Sequence, residues 1–508
     1  MLRSVGWIFA GAALAAVGAP QAFAQSISNE TWLGQVGGTN TIVIDQSGRN
    51  NQAGADNAAL RLNQDGDNNS LSITQFGHRN QVGAVFFLNR PTGVNQIGDN
   101  NEITITQQTA RDAFDGSNVV GSILQNSAYL LGEPANLLTI FQSDIGGSGQ
   151  AGHRIGSVRQ VYAGAGETPN QATITQLGGG LDEGNDLDNL YQSGGGNVFT
   201  LTQENQLNKV GDARQIGQGN VATVEQGLFS GIVGGNLVEY LQQFGYRNLT
   251  EVVMLGSNNV VQHILQINAL LGPSAIGNIA NITLDSEDNG STGNGGVGDF
   301  LSAAALAVSA AQSNVVQIGD YNRVAITITG ADNKFGTRQF GEDNDVFISI
   351  GELAGQTAQR NESAVFQNGT DNYFSHTVLG SDNVGAVRQF GERNRLSVEQ
   401  LGQGNLAQAN MLGNGNNYEP GFTGLAASFL APADFKPGRL YQSGLNNSVE
   451  VNVTGDDNRF GFHQEGDWNV AESTVIGTGN QVVVIQIGSG NAAITYQSGS
   501  GNTAVIVQ

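Results

Sequence analysis

Gln96-Ile97-Gly98-Asp99-Asn100-Asn101-Glu102-Ile103-Thr104-Ile105-Thr106-Gln107 decides how this chain folds. From Asn101 onward the residues alternate. Asn101, Ile103, Ile105 and Gln107 share one face, and Glu102, Thr104 and Thr106 share the other. Alternation at period two is the signature of a half-buried strand. The pattern returns in Asn69/Leu71/Ile73/Gln75, in Asn394/Leu396/Val398/Gln400 and in Asn447/Val449/Val451/Val453. Ahead of each strand stands Gly-x-x-Asn, where Gly supplies a backbone conformation closed to most residues and Asp, Asn or Gly make the turn. One such unit is therefore a short strand and a tight turn.

The unit is 11 residues long and keeps its register. Gly444, Gly455, Gly466, Gly477, Gly488 and Gly499 step by 11, as do Asn447, Asn458, Asn469, Asn480, Asn491 and Asn502. A fixed period of this kind marks a stacked architecture in which each repeat buries its inner face against its neighbours. The expected fold is all-β: a β-solenoid of strand–turn–strand coils, ~22 residues each, with loop insertions. The inner face mixes aliphatics with Gln and Asn. A buried amide left unpaired costs ~1–3 kcal/mol, but amides stacked in register can donate to one coil and accept from the other, as in cross-β structure. The same stacking fixes register, because a slip of one residue turns every amide outward.

Repeats occupy 25–283, with an irregular stretch at 108–175, then 314–416 and 441–508. Between them lie a Gly/Ser- and Ala-rich insertion, 284–313, whose second half reads as a short helix, and a Pro-containing insertion, 417–440; both are expected to protrude. No proline falls within 317–350, 356–416 or 442–508, as strands paired on both edges require. Residues 1–24 read as a secretory signal peptide: Arg3 precedes the apolar run from Val5 to Val17, and Ala22-Phe23-Ala24 is a small-x-small cleavage site with Gln25 as the mature start. The run is too short to span a bilayer.

Lys and Arg total 21 against 44 Asp and Glu, a formal charge of −23 without a basic stripe, which argues against nucleic-acid partners. The absence of cysteine excludes disulfides, thiolate metal sites and cysteine nucleophiles. His78, His153, His263, His376 and His463 show no metal-ligand spacing, and the irregular Asp of the Gly-Asp-x-Asn turns fits turn chemistry better than a calcium roll. No catalytic set stands out; the chain reads as a non-enzyme without cofactor or metal. Phe76, Phe244, Phe340 and Phe390, each in Gln-Phe-Gly, are expected to pack at turns or along an outer edge.

The repeat resembles that of the curlin family, subunits of bacterial curli amyloid fibres, whose pattern is Gln-x-Gly-x-Gly-Asn-x-Ala-x-x-x-Gln. Gln215, Gly217, Gly219, Asn220, Ala222 and Gln226 match it, as do Gln486, Gly488, Gly490, Asn491, Ala493 and Gln497, and Gln497, Gly499, Gly501, Asn502, Ala504 and Gln508. Gln400, Gly402, Gly404, Asn405 and Ala407 match until Met411 replaces the final Gln. Gln389, Gly391, Asn394, Gln464, Gly466 and Asn469 hold the corresponding ladder positions in looser copies. The resemblance implies a secreted, cell-surface structural protein that self-assembles or nucleates amyloid-type fibres for adhesion and biofilm matrix. It also implies self-association or other curlin-type subunits as partners, and export through an outer-membrane pore. The chain is several times longer than an ordinary curlin and carries insertions, which leaves a monomeric β-solenoid adhesin as the alternative. It reaches Gln508 on a repeat position, so an uncapped strand edge is expected there.

Overall fold

The computed structural model describes residues 21–24, 29–47, 50–54, 61–76, 80–83, 86–87, 90–91, 93–108, 119–121, 123–127, 136–143, 153–162, 168–177, 185–204, 208–227, 235–268, 277–290, 300, 302–308, 314–353, 357–419, 421–428 and 435–508. They fall into two compact units, one ending at Ser257 and the other beginning at Asn258. Of the signal-peptide reading, 1–20 and Gln25 lie outside the described residues.

The second unit is a stack of parallel strands in two facing sheets. In one sheet Asp345–Gly351, Tyr373–Ser381 and Arg395–Gln403 lie side by side, with Val346 beside Phe374 and Phe374 beside Leu396. The sheet runs from Ile279–Asp285 to Thr503–Val507. In the other, Lys334–Glu342, Glu362–Thr370, Val384–Glu392 and Leu406–Leu412 align in register, continuing to Ala492–Ser498. Strand after strand alternates buried with exposed or partly exposed residues, as in Arg395–Gln403. The inward Val346, Ile348, Phe374, Leu396 and Val398 are within 2% of complete burial, each worth ~1.5–3 kcal/mol. Consecutive coils are 22 residues apart at Asn372, Asn394 and Asn416.

The first unit follows the same rule with longer coils. One sheet is continuous from Thr41–Gln46 through Ser70–Gln75 and Glu102–Gln107 to Leu249–Met254. The opposite side is split into two ribbons: Glu30–Thr31, Gln52–Ala53, Gln81–Val82 and Val119–Val120 in one, and Leu33–Val36, Leu62–Asp65, Asn95–Ile97, Leu124–Ser127 and Val161–Tyr162 in the other. Coil spacings of 29 and 32 residues replace 22 at Gln35, Gln64 and Gln96, the extra residues falling between the two ribbons, and the spacing shortens to 23 at Asn197 and Asn220. The stretch 108–175, irregular in sequence, contributes strands Leu124–Ser127, Leu137–Ile140 and Gln171–Gln176 to the stack.

The described parts of both insertions lie against the sheets, contrary to the expected protrusions. In the first, Ala303–Val308 is a helix, α1. Ser302 Oγ accepts from Ala305 N at 3.1 Å as its cap, and the Glu362 carboxylate accepts from Ser302 N at 2.9 Å. Phe300, Ala305 and Val308 pack on Ala364 and Ala386, the outward side of the second sheet. In the second, α2 (Gly424–Ser428) lays Phe422, Ala426 and Phe435 over Val483 and Ile485 on the outward side of the first sheet. Gly461 makes this possible: a Cβ there would come within 2.8 Å of the Phe435 ring. Thr423 and Gln481 exchange hydrogen bonds of 2.7 and 2.9 Å beside it. The physical reason is burial: both segments bring Ala and Phe, and the sheets meet them with apolar outward residues.

Candidate functional site: the stacked amides

The repeating turn is Gly-x-x-Asn, with Ala358 before Asn361 and Ser286 before Asn289 as variants, and the Asn closes the turn. Asn394 donates through Nδ2 to Asn372 Oδ1 (3.0 Å) and to Gly413 O (2.8 Å); its own Oδ1 accepts from Asn416 Nδ2 (2.9 Å) and from the Asn416 backbone N–H. One side chain thus ties the coil before to the coil after. The contacts repeat at Asn405 with Asn383, at Asn469 with Asn447, at Asn491 with Asn469 and at Asn502 with Asn480. In the first unit Asn220 bonds Asn197 at 3.0 Å and accepts from Asn248 at 3.0 Å.

The glycines are required by the stack. Gly391, Gly402, Gly466, Gly488 and Gly499 sit at φ between +105° and +115°, and Gly217 at +110°. A Cβ on Gly391 would overlap the carbonyl oxygen of Gly413 in the next coil. Those carbonyls take the Asn amides: Gly402 O from Asn383 at 2.9 Å, Gly466 O from Asn447 at 2.7 Å, Gly488 O from Asn469 at 2.8 Å, Gly499 O from Asn480 at 2.8 Å and Gly217 O from Asn197 at 2.9 Å.

The glutamines form a second set of columns. In the second unit Gln266, Gln317, Gln339, Gln367 and Gln389 donate in turn along the second sheet, at 2.7 to 2.9 Å. Above Gln389 the column becomes Met411, Val453 and Val475. Gln400, Gln442, Gln464, Gln486 and Gln508 take over on the first sheet, donating in turn at 2.8 to 2.9 Å. The amide column therefore changes sheets. Gln497 belongs to neither run: it follows Val475, its Nε2 donates to Gln481 O at 3.0 Å, and its Oε1 has no donor. The first unit keeps both columns. Gln215 donates to Gln192 and accepts from Gln243, each at 2.7 Å, while Gln226 accepts from Gln203 at 2.7 Å on the other sheet. Between Gln176 and Gln203 the donor direction reverses, and neither Oε1 has a partner.

His376 stands where the column changes sides. Sequence reading gave it no role; it interrupts an aliphatic column between Ile348, 28 residues before it, and Val398, 22 residues after it, so a fixed step of 22 links it to Val398 alone. Its Nε2 donates to Gln400 Oε1 (2.9 Å), so Nδ1 accepts from Ser363 Oγ (2.9 Å). Gly385 provides the space, since a Cβ there would run into the ring. Complete burial lowers its pKa from 6.5 to about 4, partly offset by the Gln400 bond. His153 is lowered likewise to about 4 by burial, with Ser143 O opposing, and burial lowers His463, which stacks on Tyr441 at 4.7 Å.

Phe340 and Phe390 each pack on Phe366, with ring centroids 5.6 and 5.2 Å apart, while Phe76 is 43% exposed. Among the described residues no group of His, Asp and Glu is placed to hold a metal ion, and no helix is long and apolar enough to cross a membrane. What the geometry offers is repetition of backbone and side-chain hydrogen bonds along a parallel stack. Residues 62–108 match the family model described as the Curlin associated repeat. A search of curated proteins gives no match.

Proposed function

We propose that this chain is a secreted, extracellular structural protein of the curlin type, which builds or nucleates amyloid-type fibres for adhesion and matrix formation. The observation that carries the reading is the stacked amides. Coil after coil presents its neighbour with Asn over Asn in register, and with Gln over Gln on one sheet or the other, so the contacts that join coils within a chain are of a kind that can join chains. The match over 62–108 supports the same reading. Residues 1–24 act as a signal peptide cleaved between Ala24 and Gln25, and the partners are further copies or other curlin-type subunits, reached through an outer-membrane export pore. Thioflavin fluorescence with fibre diffraction on purified protein tests this. Fibres with a cross-β spacing support it; a protein that stays monomeric for days at high concentration refutes it.

A second reading, a monomeric surface adhesin, draws on α1 and α2, which give individual coils distinct outer surfaces. Deleting the covering segments 300–308 and 421–435 then abolishes cell attachment while the strands and their amide columns stay in place; attachment that survives both deletions removes this reading.

A further inference from the structure

We propose that the outward face of the strands Ser448–Thr454, Val470–Ile476 and Ala492–Ser498 is a docking surface for a cationic amphipathic helical segment of a partner protein. Register places Val470 beside Ala492, Glu472 between Glu450 and Ile494, and Thr474 beside Tyr496. Ile494 is 74% exposed and Tyr496 70%, with Val470 and Ile476 also exposed. The same unit shows what covers such a face elsewhere. Where outward residues of its sheets are apolar, at Ala364/Ala386 and at Val483/Ile485, a short Ala- and Phe-bearing segment of the chain itself lies across two neighbouring strands. Among the described residues nothing lies over Ile494 and Tyr496.

Charge identifies the occupant. Glu450 and Glu472 sit directly opposite each other on adjacent strands, an arrangement that destabilises a sheet when no cation intervenes. Among the described residues no cation pairs with either, whereas Glu399, Asp382 and Asp371 each meet an arginine at 2.7, 2.7 and 4.0 Å. A partner segment with Ala and Phe on one side and Lys or Arg beside them would cover the apolar residues and neutralise the carboxylate pair together. A second copy of this chain, with 21 Lys and Arg against 44 Asp and Glu and without a basic stripe, offers no concentrated cation to the carboxylate pair and is the poorer fit for this face.

The test uses full-length protein and, as probe, a short acetylated and amidated helical peptide of Ala, Phe and Lys, with Phe at i and i+4 and Lys alongside. Binding is read by calorimetry and by Tyr fluorescence at low and high salt. The expected result is salt-sensitive binding that weakens about tenfold or more in the double variant Ile494→Ser/Tyr496→Ser. In Glu450→Gln/Glu472→Gln binding is weaker and most of the salt dependence disappears. All four side chains are outward, and far-UV dichroism checks that each variant keeps its fold. Absence of binding by the wild-type protein at low salt overturns the proposal. So does equal binding by wild type and both variants. Self-association of the wild-type protein that the apolar variant alone abolishes, without peptide binding, would assign the face to contact between copies and also overturn it.

Discussion

Replacing Gln464 by valine removes one amide from the middle of a column. Gln464 Nε2 donates to Gln486 Oε1 at 2.9 Å and to Ser448 O at 3.0 Å, and its Oε1 accepts from Gln442 Nε2 at 2.9 Å. Gln442 keeps a second acceptor, Leu406 O, at 2.9 Å. Gln486 Oε1 is left buried without its donor, which costs ~1–3 kcal/mol, and the lost bond to Gln442 adds ~1 kcal/mol. A local loss of roughly 2–4 kcal/mol follows, seen as a roughly 30- to 700-fold rise in amide exchange across 439–476 in hydrogen-exchange mass spectrometry. The triple variant Gln442→Val/Gln464→Val/Gln486→Val is the sharper test. The protein already runs Met411, Val453 and Val475 in the matching column of the other sheet. Replacing a whole run leaves unpaired groups only at its ends, so the triple variant loses much less than three times the single loss. Unchanged exchange in the single variant, or a triple loss equal to three single ones, refutes the reasoning.

Acid acts on His376. Its pKa is about 4 in the folded protein against the ordinary 6.5, so the neutral ring contributes stability above pH 6.5 that is lost as pH falls toward 4; the full loss is ~3 kcal/mol. Protection factors in 373–400, taken relative to the intrinsic exchange rate at each pH, should fall over that window, and His376→Val should flatten the dependence. Gly391→Ala places a Cβ on the Gly413 carbonyl at φ +110° and should unfold that turn and its neighbour, read as lost protection on both sides of 391 while 459–508 is unaffected. Trp468 occupies a position at φ +60° where neighbouring coils carry Asn446 and Gly490, so Trp468→Asn should stabilise by ~1 kcal/mol, measured by the same exchange.

Alternation in Glu102–Gln107 and the 11-residue step contain the strands, the turns and the stacking of Asn over Asn, because each depends only on local spacing. The exchange of the Gln column between sheets was hidden by reading in steps of 11, which merges both sheets into one series; the step of 22 separates Gln442–Gln464–Gln486 from Val453–Val475–Gln497. The longer coils of the first unit were harder to see, since the anchors Gln107, Gln142 and Gln176 stay in line at spacings of 35 and 34 while inserted residues obscure the period. The packing of α1 and α2 depends on apolar residues on the normally polar side of distant strands, such as Ala364, Ala386, Val483 and Ile485, whose meaning appears only once the sheet faces are known.

The most direct measurement is magic-angle-spinning NMR on full-length protein labelled at Asn and Gln side chains, with Asn469→Ala and Gln464→Ala for assignment. Stacked amides give through-space correlations from Asn469 Nδ2 to Asn447 Cγ and from Gln464 Nε2 to Gln486 Cδ, with slow side-chain exchange, and each vanishes in its variant. Side-chain amides that exchange at solvent rates and show no contact at a separation of 22 residues would contradict the stacked fold.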